Sequence, residues 1–186
     1  MKNTITLLIF SLFVTTSLSQ TPSFTVYYFN ADRSDEGEIA AAYDEFFEGV
    51  EFKSGGAYLE RMDRGNVDGS HRLVRFGDTE NWGLVEPKTG EQWAKHMSNL
   101  DPLVESRGPR YTGRILGSNG VNPATKPYIQ IYDLEVSNPA KWLAAFAKLV
   151  EETQDSSNGG MVVYGTYDVG APVSYTHLRA HETAMY

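Results

Sequence analysis

The sequence predicts an α+β fold made of two tandem β-α-β-β-α-β units, the second of them incomplete. Three observations carry that prediction. A strand, an amphipathic helix, a glycine pair and another strand occur twice along the chain, with the glycine pairs at 55–56 and 159–160. The strand segments are β-branched and aromatic runs, and the helical segments repeat apolar residues on one face.

The first unit opens with Phe24 to Phe29, a strand, and Asp32-Arg33-Ser34-Asp35 supplies capping residues for the first helix. Ile39, Tyr43, Phe46, Phe47 and Val50 recur at helical spacing, with Asp44, Glu45 and Glu48 on the opposite side. Ser54-Gly55-Gly56 ends this helix, Ala57 to Met62 forms a second strand, and a polar stretch from Asp63 to Ser70 turns the chain into a third strand, His71 to Phe76. Thr89 and Gln92 fit a capping box ahead of a second helix whose apolar stripe is Trp93, Met97 and Leu100, and Thr112 to Leu116 is a short closing strand. The second unit starts with the strand Tyr128 to Leu134. Asn138-Pro139 then suits a helix start, Trp142, Phe146, Leu149 and Val150 come next at helical spacing, and Met161 to Tyr167 returns as a strand.

The two ends read differently from this body. Lys2 followed by an apolar run from Ile5 to Val14 and a polar, small-residue stretch ending at Ser19 has the three-part layout of a secretory leader, too short to anchor in a bilayer. Residues 1–20 are therefore expected to be a signal peptide, and the mature chain to be secreted or periplasmic with no membrane span. The string Val173 to Thr183 resembles the translation of a sequencing-library adapter, agreeing over all its residues in one reading frame. On that resemblance residues 173–186 are expected to lie outside the natural protein, and His177 and His181 are set aside despite a spacing that would suit two helical metal ligands. The organisation expected is a leader at 1–20, a first unit at 21–120, a partial second unit at 121–172 and the adapter-like tail.

Composition narrows the function. The chain has 186 residues, a formal charge of -8, 16 Lys+Arg against 24 Asp+Glu and no cysteine. Disulfide scaffolds, thiolate metal sites and thiol nucleophiles are excluded, and no basic run exists to suit nucleic acid. Dinucleotide and phosphate loops, the G-x-S-x-G elbow, H-E-x-x-H and the EF-hand loop are all missing. With only His71 and His96 outside the tail, no multi-histidine metal site is expected, and no cofactor is expected either.

The order β-α-β-β-α-β is the ferredoxin-like arrangement. Its tandem occurrence in an exported chain resembles the dimeric α/β-barrel superfamily, which includes antibiotic-biosynthesis-type monooxygenases and stress-responsive barrel proteins. The resemblance implies two curled sheets facing each other across a cavity, from two chains or from tandem repeats, so either a dimer or an intrachain pseudo-dimer. It rests on element order over residues 24 to 170 and supports fold more than activity.

Alternation along the strands selects candidate site residues. If Ile129 and Ile131 face the helices, then Tyr128, Gln130 and Tyr132 face the lumen. If Val74 and Phe76 are core, then His71 and Arg75 point into the lumen, where imidazole suits a general base and guanidinium an anionic or carbonyl group. The competing reading gives His71 a turn-edge role and Arg75 a surface salt bridge. Trp82, flanked by polar residues in a loop, suits a cavity mouth. Trp93 reads as core. His96, beside the Trp93/Met97 stripe, reads as structural or, by analogy with haem-binding members of the resembled superfamily, as a residue reaching a cavity. Three functions remain open: an exported barrel binding a small apolar or aromatic molecule, a cofactor-independent monooxygenase or isomerase, and a non-catalytic interaction module of the cell envelope.

Overall fold

The structure is a computed structural model, and it describes residues 21–63, 68–120, 128–154, 160–173 and 175–181. The expected leader lies outside these residues. The elements in chain order are β1 (Ser23–Asn30), α1 (Glu36–Phe47), β2 (Gly56–Arg61), β3 (His71–Gly77), α2 (Gly90–Leu100), β4 (Ser106–Ser118), β5 (Tyr128–Leu134), α3 (Pro139–Thr153), β6 (Val162–Val169) and β7 (Tyr175–His181).

The strands form one antiparallel sheet in the order β2-β3-β1-β4-β6-β7-β5. Register shifts between Tyr27 and Phe29, between Thr112 and Gly113, and between Ile115 and Gly117 interrupt its central ladders. Such bulges bend a strand and increase its twist, and the sheet accordingly curls into a half-barrel with a concave and a convex face.

Local chemistry explains where the helices begin. Thr89 and Gln92 form the expected capping box at α2, each side chain meeting the other's backbone N–H. At α3 the Asn138 carboxamide oxygen accepts from the Lys141 N–H, with Pro139 at the first position. The first helix stops at Phe47, ahead of Val50, and Gly49 with φ 63° carries the chain away.

Strand β4 is much longer than the expected Thr112 to Leu116 segment. Three glycines of this strand, Gly108, Gly113 and Gly117, mark close approaches of neighbouring chain. A Cβ on Gly113 would stand 1.8 Å from the Thr166 carbonyl oxygen and 2.8 Å from the Phe24 ring.

Both helical layers pack on the convex face. In the first, Ile39 of α1 and Leu100 of α2 close over Phe29 and Ala31. In the second, Val150 of α3 lies with Val162 and Tyr164, flanked by Trp142 and Phe146. A third cluster, Phe24, Val26, Tyr28, Tyr111 and Tyr167, occupies the concave face. The expected Trp93 core role is not what the structure has. Trp93 is 38% exposed, because His96 and Leu100 take the buried positions of α2 and leave Trp93 at the rim against Phe46, 4.5 Å between ring centroids.

Part of the adapter-like tail lies within the described residues. Tyr175–His181 form β7, hydrogen-bonded to β6 on one side and β5 on the other. The side chains of His177 and His181 lie outside the described residues.

Candidate functional site

The concave face carries the most unusual chemistry of the molecule. Antiparallel register sets its rows: Tyr28 of β1 lies opposite Arg72 of β3, which lies opposite Glu60 of β2. Val26 lies opposite Tyr111 of β4, and Phe24 opposite Gly113, which in turn faces Tyr167 of β6. Directly opposed residues share a face, so one arginine and three tyrosines converge on one surface.

Arg72 is 2% exposed and forms an ion pair with Glu60. Burial works against its charge, but the Glu60 carboxylate and the Tyr28 hydroxyl more than offset that cost and hold the guanidinium protonated. Tyr28 contacts Tyr111 edge-on at 5.6 Å between centroids, Tyr111 contacts Tyr167 at 5.5 Å, and Tyr167 contacts Phe24 at 5.6 Å. These T-shaped contacts put ring edges against ring faces, the favoured arrangement for aromatic quadrupoles.

Each outer phenol donates a hydrogen bond to a carboxylate. Tyr111 donates to Asp68 at 2.5 Å and Tyr167 to Asp133 at 3.1 Å. All three tyrosines are pushed above the ordinary phenol value, first by burial and then, for Tyr111 and Tyr167, by the neighbouring carboxylates. They are neutral hydrogen-bonding groups in an aromatic wall, and Arg72 is the fixed positive charge behind them.

The residues expected at the lumen are placed elsewhere. His71 pairs with Phe29, not Tyr28, and stacks on that ring at 5.2 Å beneath the α1/α2 layer. Its Nδ1 lies 2.9 Å from the Ser70 hydroxyl, and burial lowers its pKa. Arg75 shares the convex face with His71 and lies over the Trp82 ring at 5.6 Å. The face assignment of β3 is therefore the reverse of the expected one: Val74 and Phe76 are indeed core, but of the concave cluster, and Arg72 goes with them.

The same reversal holds in β5. Asp133 reaches Tyr167 on the concave side, so Ile129 and Ile131 share that side. Gln130 and Tyr132 face the other way, joined to each other at 3.1 Å, with Tyr132 44% exposed. The Tyr128 side chain lies outside the described residues. His96 sits between α1 and α2, stacked on Phe46 at 4.0 Å and bonded to the Ala42 backbone carbonyl, and burial lowers its pKa. That is the structural reading of His96.

Tyr28, Arg72, Tyr111 and Tyr167 were missed because alternation sorts a strand into two sets without saying which set meets the helices. Asp68 and Asp133 lie 43 and 34 residues from their phenol partners, beyond any local pattern. Among the described residues no group of three or more His, Asp or Glu side chains is placed to hold a metal ion, and no helix is long and apolar enough to cross a membrane.

No family model matches the chain, and no curated protein matches it either. Solved structures do resemble it. A "putative monooxygenase" from Fusobacterium nucleatum aligns with a TM-score of 0.59 at 12% identity, over 89% of this chain and 77% of that one. A protein of the same description from Lactobacillus acidophilus aligns with a TM-score of 0.56 at 12% identity, over 88% and 78%. At such identities the likeness concerns fold alone, and in fold this chain is a curled antiparallel α+β sheet of the ferredoxin-like barrel type.

Proposed function

We propose that this protein binds a small, largely apolar or aromatic molecule against the concave face of its sheet. The observation that carries the reading is Arg72, a charged side chain 2% exposed among buried tyrosines. A barrel interior needed only for stability is served as well by apolar residues of similar volume, because burying an ion pair costs desolvation that its attraction barely repays. A ring-shaped ligand with one polar end suits this wall: its faces against Tyr111 and Tyr167, its polar end toward Arg72. Ligand entry requires the tyrosines to turn outward, since their side chains fill the face in this structure.

The test is a thermal-shift screen of aromatic small molecules on the full chain, repeated on Tyr167→Phe and Tyr111→Leu. A compound that raises the melting temperature of the parent and loses affinity in Tyr111→Leu supports the reading. If no compound binds and the double variant Glu60→Leu/Arg72→Met only stabilises, the interaction-module reading replaces it.

A second reading, a cofactor-independent monooxygenase or isomerase, is favoured by the pairs Tyr111–Asp68 and Tyr167–Asp133. Each is a phenol whose proton is already shared with a base inside an aromatic surround, as general acid–base chemistry needs. Oxygen consumption with an electron-rich phenol, abolished in Tyr111→Phe, would favour it over simple binding.

The organisation we propose has tandem units. Strand orders β2-β3-β1 and β6-β7-β5 support it, since each places the third strand of a unit between its second and first. In this reading a strand belongs in the slot of β7 whichever residues come after Pro172, and the adapter resemblance of residues 173–186 is compatible with a different native strand there. A dimer or an intrachain pseudo-dimer would complete the barrel. Export to the periplasm or outside the cell is proposed on the leader-like residues 1–20. A long sequencing read across the locus tests the tail, and N-terminal sequencing of the expressed protein tests the leader.

A further inference from the structure

The convex face holds an arrangement that the concave site does not use. The α1/α2 layer covers the sheet around Phe29, and α3 covers it around Val162 and Tyr164. Between these layers β1 and β4 present Thr25, Tyr27, Arg110 and Thr112, and β3 adds Arg75 beside Thr25. The Thr25 and Thr112 hydroxyls meet at 3.2 Å and form the floor.

Two features set this strip apart in a chain of net charge -8. First, its neighbouring arginines are answered by acids: Arg114 by both oxygens of Asp168, at 2.8 and 2.9 Å, and Arg107 by Asp101 at 2.5 Å. Arg75 and Arg110 have no such partner among the described residues. Second, each lies on an aromatic ring instead, Arg75 over Trp82 at 5.6 Å and Arg110 over Tyr27 at 5.2 Å. A cation–π contact engages the charge of the guanidinium without a carboxylate, so the donor fork is left for an oxyanion.

The register places Arg75 opposite Thr25 and Arg110 opposite Tyr27, on strands either side of β1. Standard sheet dimensions put their backbones roughly 12 Å apart. Two carboxylates four residues apart on an extended chain are separated by about 13 Å. A guanidinium already lies over each ring, and recognition falls to the two forks.

We propose that this strip docks an extended acidic peptide segment, two of its carboxylates each held by one fork, Arg75 and Arg110. Charge complementarity supports this occupant: both forks are cations of an acidic protein without an acidic partner among the described residues, and carboxylates match them bidentately. The site is separate from the concave face, on the opposite side of the same sheet.

The test is fluorescence anisotropy of the full chain with a labelled Gly/Ser peptide bearing glutamates four residues apart, at low ionic strength. Arg75→Gln and Arg110→Gln should each weaken binding about tenfold or more, because each removes a charge-assisted bidentate pair. Arg33→Gln, an equal change of charge at an exposed position outside the strip, should leave it unchanged. Arg75→Lys/Arg110→Lys keeps the charge but not the fork and should weaken it as well. Equal losses in Arg33→Gln and Arg75→Gln, or full affinity in the lysine variant, would overturn the proposal by reducing it to net charge. Binding of a phosphoserine peptide with no binding of the glutamate peptide would overturn the carboxylate assignment. Loss of acidic-peptide binding with aromatic-ligand binding intact would show that the two faces act separately.

Discussion

Tyr28 and Arg72 stand directly opposite each other on β1 and β3, and the phenol hydroxyl helps hold the guanidinium in its charged form where only 2% of the arginine is exposed. With Glu60 on the far side of Arg72, three neighbouring strands contribute one side chain each to a single buried polar group. Its energetics depend on all three being present.

Removing one member of that pair should cost far more than removing both. Glu60→Leu leaves Arg72 buried without its counter-charge and should destabilise by about 3–5 kcal/mol. Glu60→Leu/Arg72→Met should recover most of that loss. Urea unfolding of the two variants decides it: a double variant no more stable than the single one would show that the pair is a net contributor.

The buried phenols should resist ionisation. Burial raises Tyr28, Tyr111 and Tyr167 above their ordinary value of 10.0. The folded pKa lies above the unfolded one, so the native state holds these protons more tightly. Stability is complete below pH 10 and declines as pH rises beyond it. An absorbance titration of phenolate should show exposed tyrosines ionising near pH 10 and this group only with unfolding. Reversible ionisation of all tyrosines in one step near pH 10 would contradict the packing described.

Acid should weaken the opposite face. His71 is buried beneath the α1/α2 layer and His96 within it, and burial lowers both pKa values from 6.5, opposed in part by Glu36 at His71 and by the Ala42 carbonyl and Glu45 at His96, with Arg61 adding to it at His71. The unfolded state therefore binds protons first as pH falls. Stability is intact above pH 6.5 and is lost progressively below it, down to the folded pKa. His96→Phe, which keeps the ring stacked on Phe46, should flatten that decline; an unchanged slope between pH 6.5 and 5 would argue against the assignment.

Gly113 should tolerate no side chain. A Cβ there would meet the Thr166 carbonyl oxygen at 1.8 Å and the Phe24 ring at 2.8 Å. Gly113→Ala should cost about 1–3 kcal/mol as β4 and β6 are forced apart. Gly90→Ala, in open space at the start of α2, is the matched control and should be neutral or slightly stabilising.

The order of strands and helices from β1 to β6 was legible because its signals are local. Capping at Thr89 and Asn138 is set within four residues, and the apolar spacing that begins at Ile39 is itself the helix. Strand β4 was legible only in its middle, since Gly108 and Gly117 on either side serve contacts with residues far away in the chain.

What the amino-acid order determined by itself was periodicity: which residues of each strand travel together, His71 with Arg75, Arg72 with Val74 and Phe76, Ile129 with Ile131 and Asp133. Which of the two sets turned inward was decided only in the assembled sheet. Ile39 and Leu100 close over Phe29, and pairing across β1 then commits His71 and Arg75 to the helix side and Arg72 to the concave side. A strand's two faces are related by a single-residue step. Both sets in β3 mix polar and apolar residues, so the choice between them rests on contacts made by helices elsewhere in the chain, and that choice placed the candidate site on tyrosines and an arginine rather than on a histidine.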